Sequence, residues 1–121
     1  MSKKIMIVED NVLNMKLFCD LASLSGYETI PIKTGREALE KLQTLTPDLI
    51  LMDIQLPDIS GLEVIKEIKA HHIWQEIPII AITAFAMKSD EERILEAGAE
   101  VYMSKPISIK AFTEQLQEIL G

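Results

Sequence analysis

Residues 49–63 read LILMDIQLPDISGLE. Leu49, Ile50, Leu51 and Met52 are apolar at consecutive positions, so both faces of the segment need cover, as in a strand inside a parallel sheet. The run ends in a carboxylate, Asp53. Ser60 to Glu63 then has the S-x-x-E spacing of a capping box, which starts a helix. Strand, loop and helix in that order make one βα unit, and the rest of the chain repeats it. Further β-branched runs predict strands at 4–8, 28–32, 79–83 and 101–104, with amphipathic stretches between them. Five βα units of this kind fold as an α/β doubly wound (βα)5 domain. One known strand order for such a sheet is 2-1-3-4-5, the flavodoxin-like arrangement.

The helices follow from their own periodicity. Leu13, Leu17, Leu21 and Leu24 form a stripe on the first, and Gly26 stands where a helix end favours positive φ. Thr34 to Glu37 and Ser89 to Glu92 repeat the capping-box spacing and mark the second and fourth helices. The second carries Ala38, Leu42 and Leu45 inward and stops before Pro47, and the third carries Leu62, Ile65 and Ile68. A fifth, from Ser108, presents Phe112, Leu116 and Ile119. The fourth, KSDEERILEAG, has a single strong apolar pair, Ile94 and Leu95, and buries little. It is either a solvated surface helix or a weakly held element of the kind that switches conformation.

The chain has 121 residues, 48% hydrophobic and 26% charged, enough for one core and ordinary for a globular protein. The units fill residues 4–120, so a single domain over 1–121 with no output domain is expected. Nineteen acidic against twelve basic residues give a net charge of −7, which repels nucleic acid and anionic lipid surfaces. The lone cysteine, Cys19, excludes an internal disulfide or a Cys-rich zinc site. Two lysines and four apolar residues before Glu9 are too few for a signal peptide or a membrane span. A cytoplasmic protein without membrane insertion is expected.

Ligands of doubly wound sheets bind beyond the carboxyl ends of the strands. The first strand ends in Glu9 and Asp10 and the third in Asp53, so the order 2-1-3-4-5 gathers three carboxylates in one crevice. Three close negative charges demand a cation, and hard oxygen donors with room for water suit Mg²⁺ better than zinc. Lys105 at the end of the fifth strand brings an ammonium, and Thr83 at the end of the fourth a hydroxyl. A nucleophilic carboxylate, a cation, an ammonium and a hydroxyl are the parts that stabilise a transferred phosphoryl group. Singly, each residue reads as a cap or a solvated loop group; what favours a site is their common place at the strand ends.

Four segments, IMIVEDN (5–11), LILMDIQLPDISGLE (49–63), IIAITAFAM (79–87) and YMSKPIS (102–108), resemble the signatures of the receiver domain of two-component response regulators. Together they span nearly the whole chain. EDNVLNMKLFCDL and ITAFAMKSDEERILEAG are similar, more narrowly, to single-domain cell-cycle response regulators of alphaproteobacteria. The resemblance implies a CheY-like fold and a phosphorelay switch, not an enzyme, that accepts a phosphoryl group from a histidine kinase or phosphotransfer protein and loses it again by autodephosphorylation. It implies Asp53 as phosphoacceptor, Mg²⁺ held by Asp10, Asp53 and the backbone carbonyl of Gln55, and Glu9 acting through water. Lys105 would pair with the phosphoryl group and Thr83 would hydrogen-bond it. Tyr102 would swing inward, coupling the site to the surface of the fourth helix, fifth strand and fifth helix. By the same resemblance Lys105–Pro106 is a cis bond, and Gln55 and Phe85 control the attacking water, Phe85 by hindering it.

The output surface expected from this resemblance contains Ala86, Arg93, Tyr102 and the fifth helix, with Met15 and Phe18 on the first helix as a second candidate. Partner kinases controlling cell division or polarity, recruitment by them to a cell pole, and a monomer or weak dimer complete the expectation. Two other classes fit less well. An aspartyl phosphatase would want a general acid two residues after Asp53, where Gln55 stands. A flavodoxin-like carrier would want a Gly- and hydroxyl-rich phosphate loop where Glu9, Asp10 and Asn11 stand. His71 and His72 are the only histidines and read as a solvated helix end, their rings about 100° apart if both are helical.

Overall fold

The computed structural model describes residues 2–84 and 87–121. Strands and helices alternate: β1 Lys4–Val8, α1 Val12–Leu24, β2 Glu28–Ile32, α2 Gly35–Lys41, β3 Leu49–Asp53, α3 Gly61–Ala70, β4 Ile79–Thr83, α4 Lys88–Ala97, β5 Val101–Ser104 and α5 Ile109–Leu120. The strands are all parallel in the order β2-β1-β3-β4-β5 and occupy the residues that the apolar runs mark. The register aligns their carboxyl ends: Val8 lies opposite Ile32 and Met52, Asp53 opposite Ile82, and Thr83 opposite Ser104.

Alternate residues of each central strand enter two cores. Met6, Val8, Ile50, Met52, Ile79 and Ala81 face α2, α3 and α4, where Ala38, Ile65, Ile68 and Ile94 meet them. Ile5, Ile7, Leu49, Leu51, Ile80 and Ile82 face α1 and α5, where Phe18 and Phe112 pack with centroids 5.8 Å apart.

The first helix turns the other way from the sequence expectation. Phe18 and Ala22 are its buried residues, whereas Leu13 and Leu24 are 78% and 85% exposed. The helix carries two apolar stripes, and Met15, Phe18, Cys19 and Ala22 have the i, i+3, i+4, i+7 spacing of a core face. Small Ala22 lets the backbone approach the sheet, and Phe18 fills the space beside Phe112. Phe18 is therefore not a docking residue and Met15 is half-buried; the large apolar side chains that α1 offers to solvent are Val12, Leu13, Leu17 and, at its far end, Leu24.

Helix starts are fixed mostly by side chains. Asn11, Thr34, Ser60 and Ser108 each accept a backbone N–H of their own first turn. Asp58, from the loop after β3, also accepts from the N–H groups of Gly35 and Arg36 at 3.0 and 2.9 Å, so the same loop fastens α2. Gly26 takes φ +93 just after α1, as its position requires. The expected cap Ser89 is a correction: α4 begins at Lys88, its cap position is Met87, and no side chain caps it. Its first turn is balanced by the charges of Asp90 and Glu91 instead.

Beyond α3, the Lys69 ammonium donates to the carbonyls of Gln75 and Ile77 and to Glu100, at 3.1, 2.8 and 3.1 Å. Glu100 in turn accepts from the N–H of Ile79 at 2.6 Å. This network fixes the end of α3 to the start of β4.

Candidate functional site

At the carboxyl edge, Asp53 ends β3 and is 3% exposed, and Glu9, just past β1, is 1% exposed. Asp10 beside them is exposed. One carboxylate oxygen from each of the three lies within 4.8 Å of the others. Lys105 extends from the turn after β5 to 2.9 Å from Glu9 Oε1 and 3.2 Å from Asp53 Oδ2. Its peptide bond to Pro106 is cis, and its N–H donates to the Thr83 carbonyl at 2.8 Å. The other Asp53 oxygen, Oδ1, accepts the N–H of Gln55 at 3.0 Å, and Glu9 Oε2 accepts that of Asn11 at 3.2 Å.

One ammonium does not neutralise this cluster. Burial, then the hydrogen bond and charge of Glu9, push Asp53 up to about 7, against the N–H of Gln55 and the charge of Lys105. Burial acts to raise Glu9 as well, but its bonds to Asp53, Lys105 and the Asn11 N–H bring it below the ordinary carboxylate value. The hydrogen bond and repulsion between the two carboxylates thus favour protonation at Asp53 over Glu9. Burial pulls the Lys105 ammonium down, and Glu9 and Asp53 more than reverse that. A divalent cation that displaced the proton would relieve the repulsion. The oxygen-only donor set, open to solvent on the Asp10 side, fits Mg²⁺.

The loop leaving β3 is held as closely as the strand. Gly61 returns so near to β3 that a Cβ there would collide with the Asp53 carbonyl oxygen, and its N–H donates to Ile54 O at 2.9 Å. Thr83, 1% exposed, accepts a hydrogen bond from the Gln55 carboxamide Nε2 at 2.5 Å. The N–H of Ala84 donates to Gln55 Oε1 at 3.1 Å.

The sequence profile of the response regulator receiver domain matches residues 5–117. The chain belongs to this family. The receiver domain is 59% identical over its 121 residues to the polar-differentiation response regulator DivK of Brucella ovis, covering 100% of this chain and 98% of the relative, and DivK of Brucella anthropi is equally similar. Among solved structures, a response regulator from Chloroflexus aurantiacus superposes with a TM-score of 0.94 at 28% identity, covering 99% of this chain and 98% of that one. The receiver domain of a sensor histidine kinase from Pseudomonas aeruginosa superposes with a TM-score of 0.90 at 32% identity over 100% of both chains, and that structure holds a magnesium ion coordinated in its active-site cleft.

In the receiver domain, Glu9, Asp10, Asp53, Gln55, Thr83 and Lys105 all reach this edge. Phe85 and Ala86 lie outside the described residues. Tyr102 packs beside the core under α4 with its hydroxyl enclosed and without a hydrogen-bond partner among the described residues. Burial, with the charges of Glu91 and Asp90, raises its ionisation above the ordinary tyrosine value. Arg93 is exposed and pairs with Asp90 at 3.7 Å. His71 and His72 stand apart from the acidic cluster. They follow the end of α3, so helical geometry does not splay them: their rings stack at 5.0 Å, and His71 stacks on Trp74 at 3.7 Å.

The roles of Asp58 and Gly61 were not anticipated, nor were the contacts of the Gln55 carboxamide with Thr83 and Ala84. Pro57-Asp58 is a turn-forming pair whose carboxylate is suited to capping a nearby helix, and that signal was present. Nothing in the sequence gives the direction of Gln55. No helix among the described residues is long and apolar enough to cross a membrane.

Proposed function

We propose that this receiver domain is a phosphorelay switch whose phosphoacceptor is Asp53. The observation that carries the proposal is a buried carboxylate at a strand end, 3.2 Å from the Lys105 ammonium and within 4.8 Å of two further carboxylates. An ionised Asp53 oxygen attacks the phosphorus of a phosphohistidine on a donor; an acyl phosphate P–O bond forms, the P–N bond breaks with its electron pair going to the imidazole nitrogen, and the departing imidazole takes a proton from solvent. Lys105 balances charge on the phosphoryl oxygens, and the Thr83 hydroxyl offers them a hydrogen bond. Asp10, Asp53 and the Gln55 carbonyl would hold Mg²⁺, with Glu9 acting through water; when bound, the ion keeps Asp53 ionised and neutralises phosphoryl charge.

The donor docks over the cleft rim, where Val12 and Leu13 are 73% and 78% exposed beside Glu9, Asp10 and Lys105. On α1 these exposed residues, rather than Met15 and the buried Phe18, are the ones open to a partner. The single domain sends its signal by protein contact through α4, β5 and α5, with Tyr102 and Arg93 on that side, and autodephosphorylation ends it. Kinship with the Brucella DivK proteins supports a role in polar differentiation or cell division, cytoplasmic, with histidine kinases or phosphotransfer proteins as partners that recruit it to a pole. The test is incubation with Mg²⁺ and acetyl phosphate. One base-labile, acid-stable phosphoryl group per chain is expected by mass spectrometry, and labelling that persists in Asp53→Ala overturns the assignment.

A further inference from the structure

Gln55 joins two parts of the site, Asp53 at the end of β3 and the Thr83–Ala84 segment at the end of β4. Its backbone N–H donates to Asp53 Oδ1 at 3.0 Å. Its carboxamide reaches the end of β4, where Nε2 donates to Thr83 Oγ1 at 2.5 Å and Oε1 accepts from the N–H of Ala84 at 3.1 Å. It also lines two separate spaces: the acidic cleft with Glu9, Asp10, Asp53 and Lys105, and a cavity of about 210 Å³ between α3 and α4, floored by Ile54, Leu62 and Ile94. The side chain is a partition between them.

We propose that the Gln55 carboxamide is a latch that holds Thr83 and Ala84 in the unphosphorylated arrangement and is displaced by a phosphoryl group on Asp53. The proposal rests on the phosphoacceptor reading above. A phosphoryl dianion needs hydrogen-bond donors, and the Ala84 N–H that borders the cleft is already taken by Oε1. Nε2 fixes the Thr83 oxygen by donating to it, so the hydroxyl is held on the carboxamide side, and Oε1 occupies the Ala84 N–H with partial negative charge. The cavity behind offers the released carboxamide room, with Ser60, Asp90 and Arg93 as polar neighbours. Opening the latch therefore frees the end of β4 next to α4, the helix with one buried residue. The two hydrogen bonds bias the resting switch and make each phosphorylation work against them.

The test is a titration of fluoroberyllate, a phosphoryl mimic, in the presence of Mg²⁺, into the wild type, Gln55→Met and Gln55→Ala. Removing the latch is expected to tighten binding about tenfold in both variants. In the free variants, the Ala84 amide resonance is expected to move towards its position in the fluoroberyllate-bound wild type, a shift that a merely structural role would not produce. Unchanged or weaker affinity in both variants, or an Ala84 amide that stays in place, overturns the latch while leaving the phosphoacceptor reading intact. A wild type that binds no fluoroberyllate overturns that reading and the latch with it.

Discussion

Helices α3 and α4 are both 10 residues long and lie side by side over the same face of the sheet, yet they are held very differently. α3 buries Gly61, Leu62, Val64, Ile65 and Ile68, is capped by Ser60, and is tied at its far end by Lys69. α4 buries Ile94 alone, has no side-chain cap, and carries Asp90 and Glu91 in its first turn. Both begin near the carboxylate cluster, α3 from the end of β3 and α4 from the end of β4. The anchored helix keeps Asp53 in place, and the loosely held one is free to respond.

The largest effect that tests this contrast is in the core. Ile65→Ala is expected to cost about 3 kcal/mol of unfolding free energy in a urea titration, while Leu95→Ala on α4, 41% exposed, stays within about 0.5 kcal/mol. Equal losses would break the comparison. Next comes the charge under the start of α3. Because the folded value of Asp53 is raised, the stability it contributes is present below its ordinary 3.8 and lost as pH rises through about 7. Asp53→Asn should then exceed the metal-free wild type by about 2 kcal/mol at pH 8, with the gap closing towards pH 4. Mg²⁺ should raise the wild-type melting temperature more than that of Asp53→Asn, since a ligand stabilises the state that binds it.

Smaller still is the difference in capping. Ser60→Ala should lower stability by about 1 kcal/mol, and Met87→Ser, which supplies a hydroxyl at an extended cap position, should raise it by a similar amount at most. Native-state hydrogen exchange refines the same point: α4 amides are expected to exchange through local opening well before those of α3.

The central strands β1, β3 and β4 were legible as short apolar runs that end buried, β2 and β5 only as β-branched edge segments, and the parallel βα repeat admits 2-1-3-4-5 as one known order. That order places Glu9, Asp10, Asp53, Thr83 and Lys105 at one edge from their positions at the strand ends alone. The face of α1 was misread from its leucines: Leu13, Leu17, Leu21 and Leu24 were expected to face the core, and a second stripe with Phe18 against Phe112 does so instead. Ser89 misled because S-x-x-E spacing also occurs inside a first turn. The Gln55 carboxamide and the reach of Asp58 to α2 depend on where a loop folds back, and no periodicity encodes that.

The stacking of His71 on Trp74 beyond α3 has a practical consequence. Trp74 is the only tryptophan in the chain, and its indole lies against an imidazole at the anchored helix, away from the carboxylate cluster. Its emission is a built-in optical gauge of whether that half of the molecule is folded. Opening of α4 alone leaves the signal unmoved.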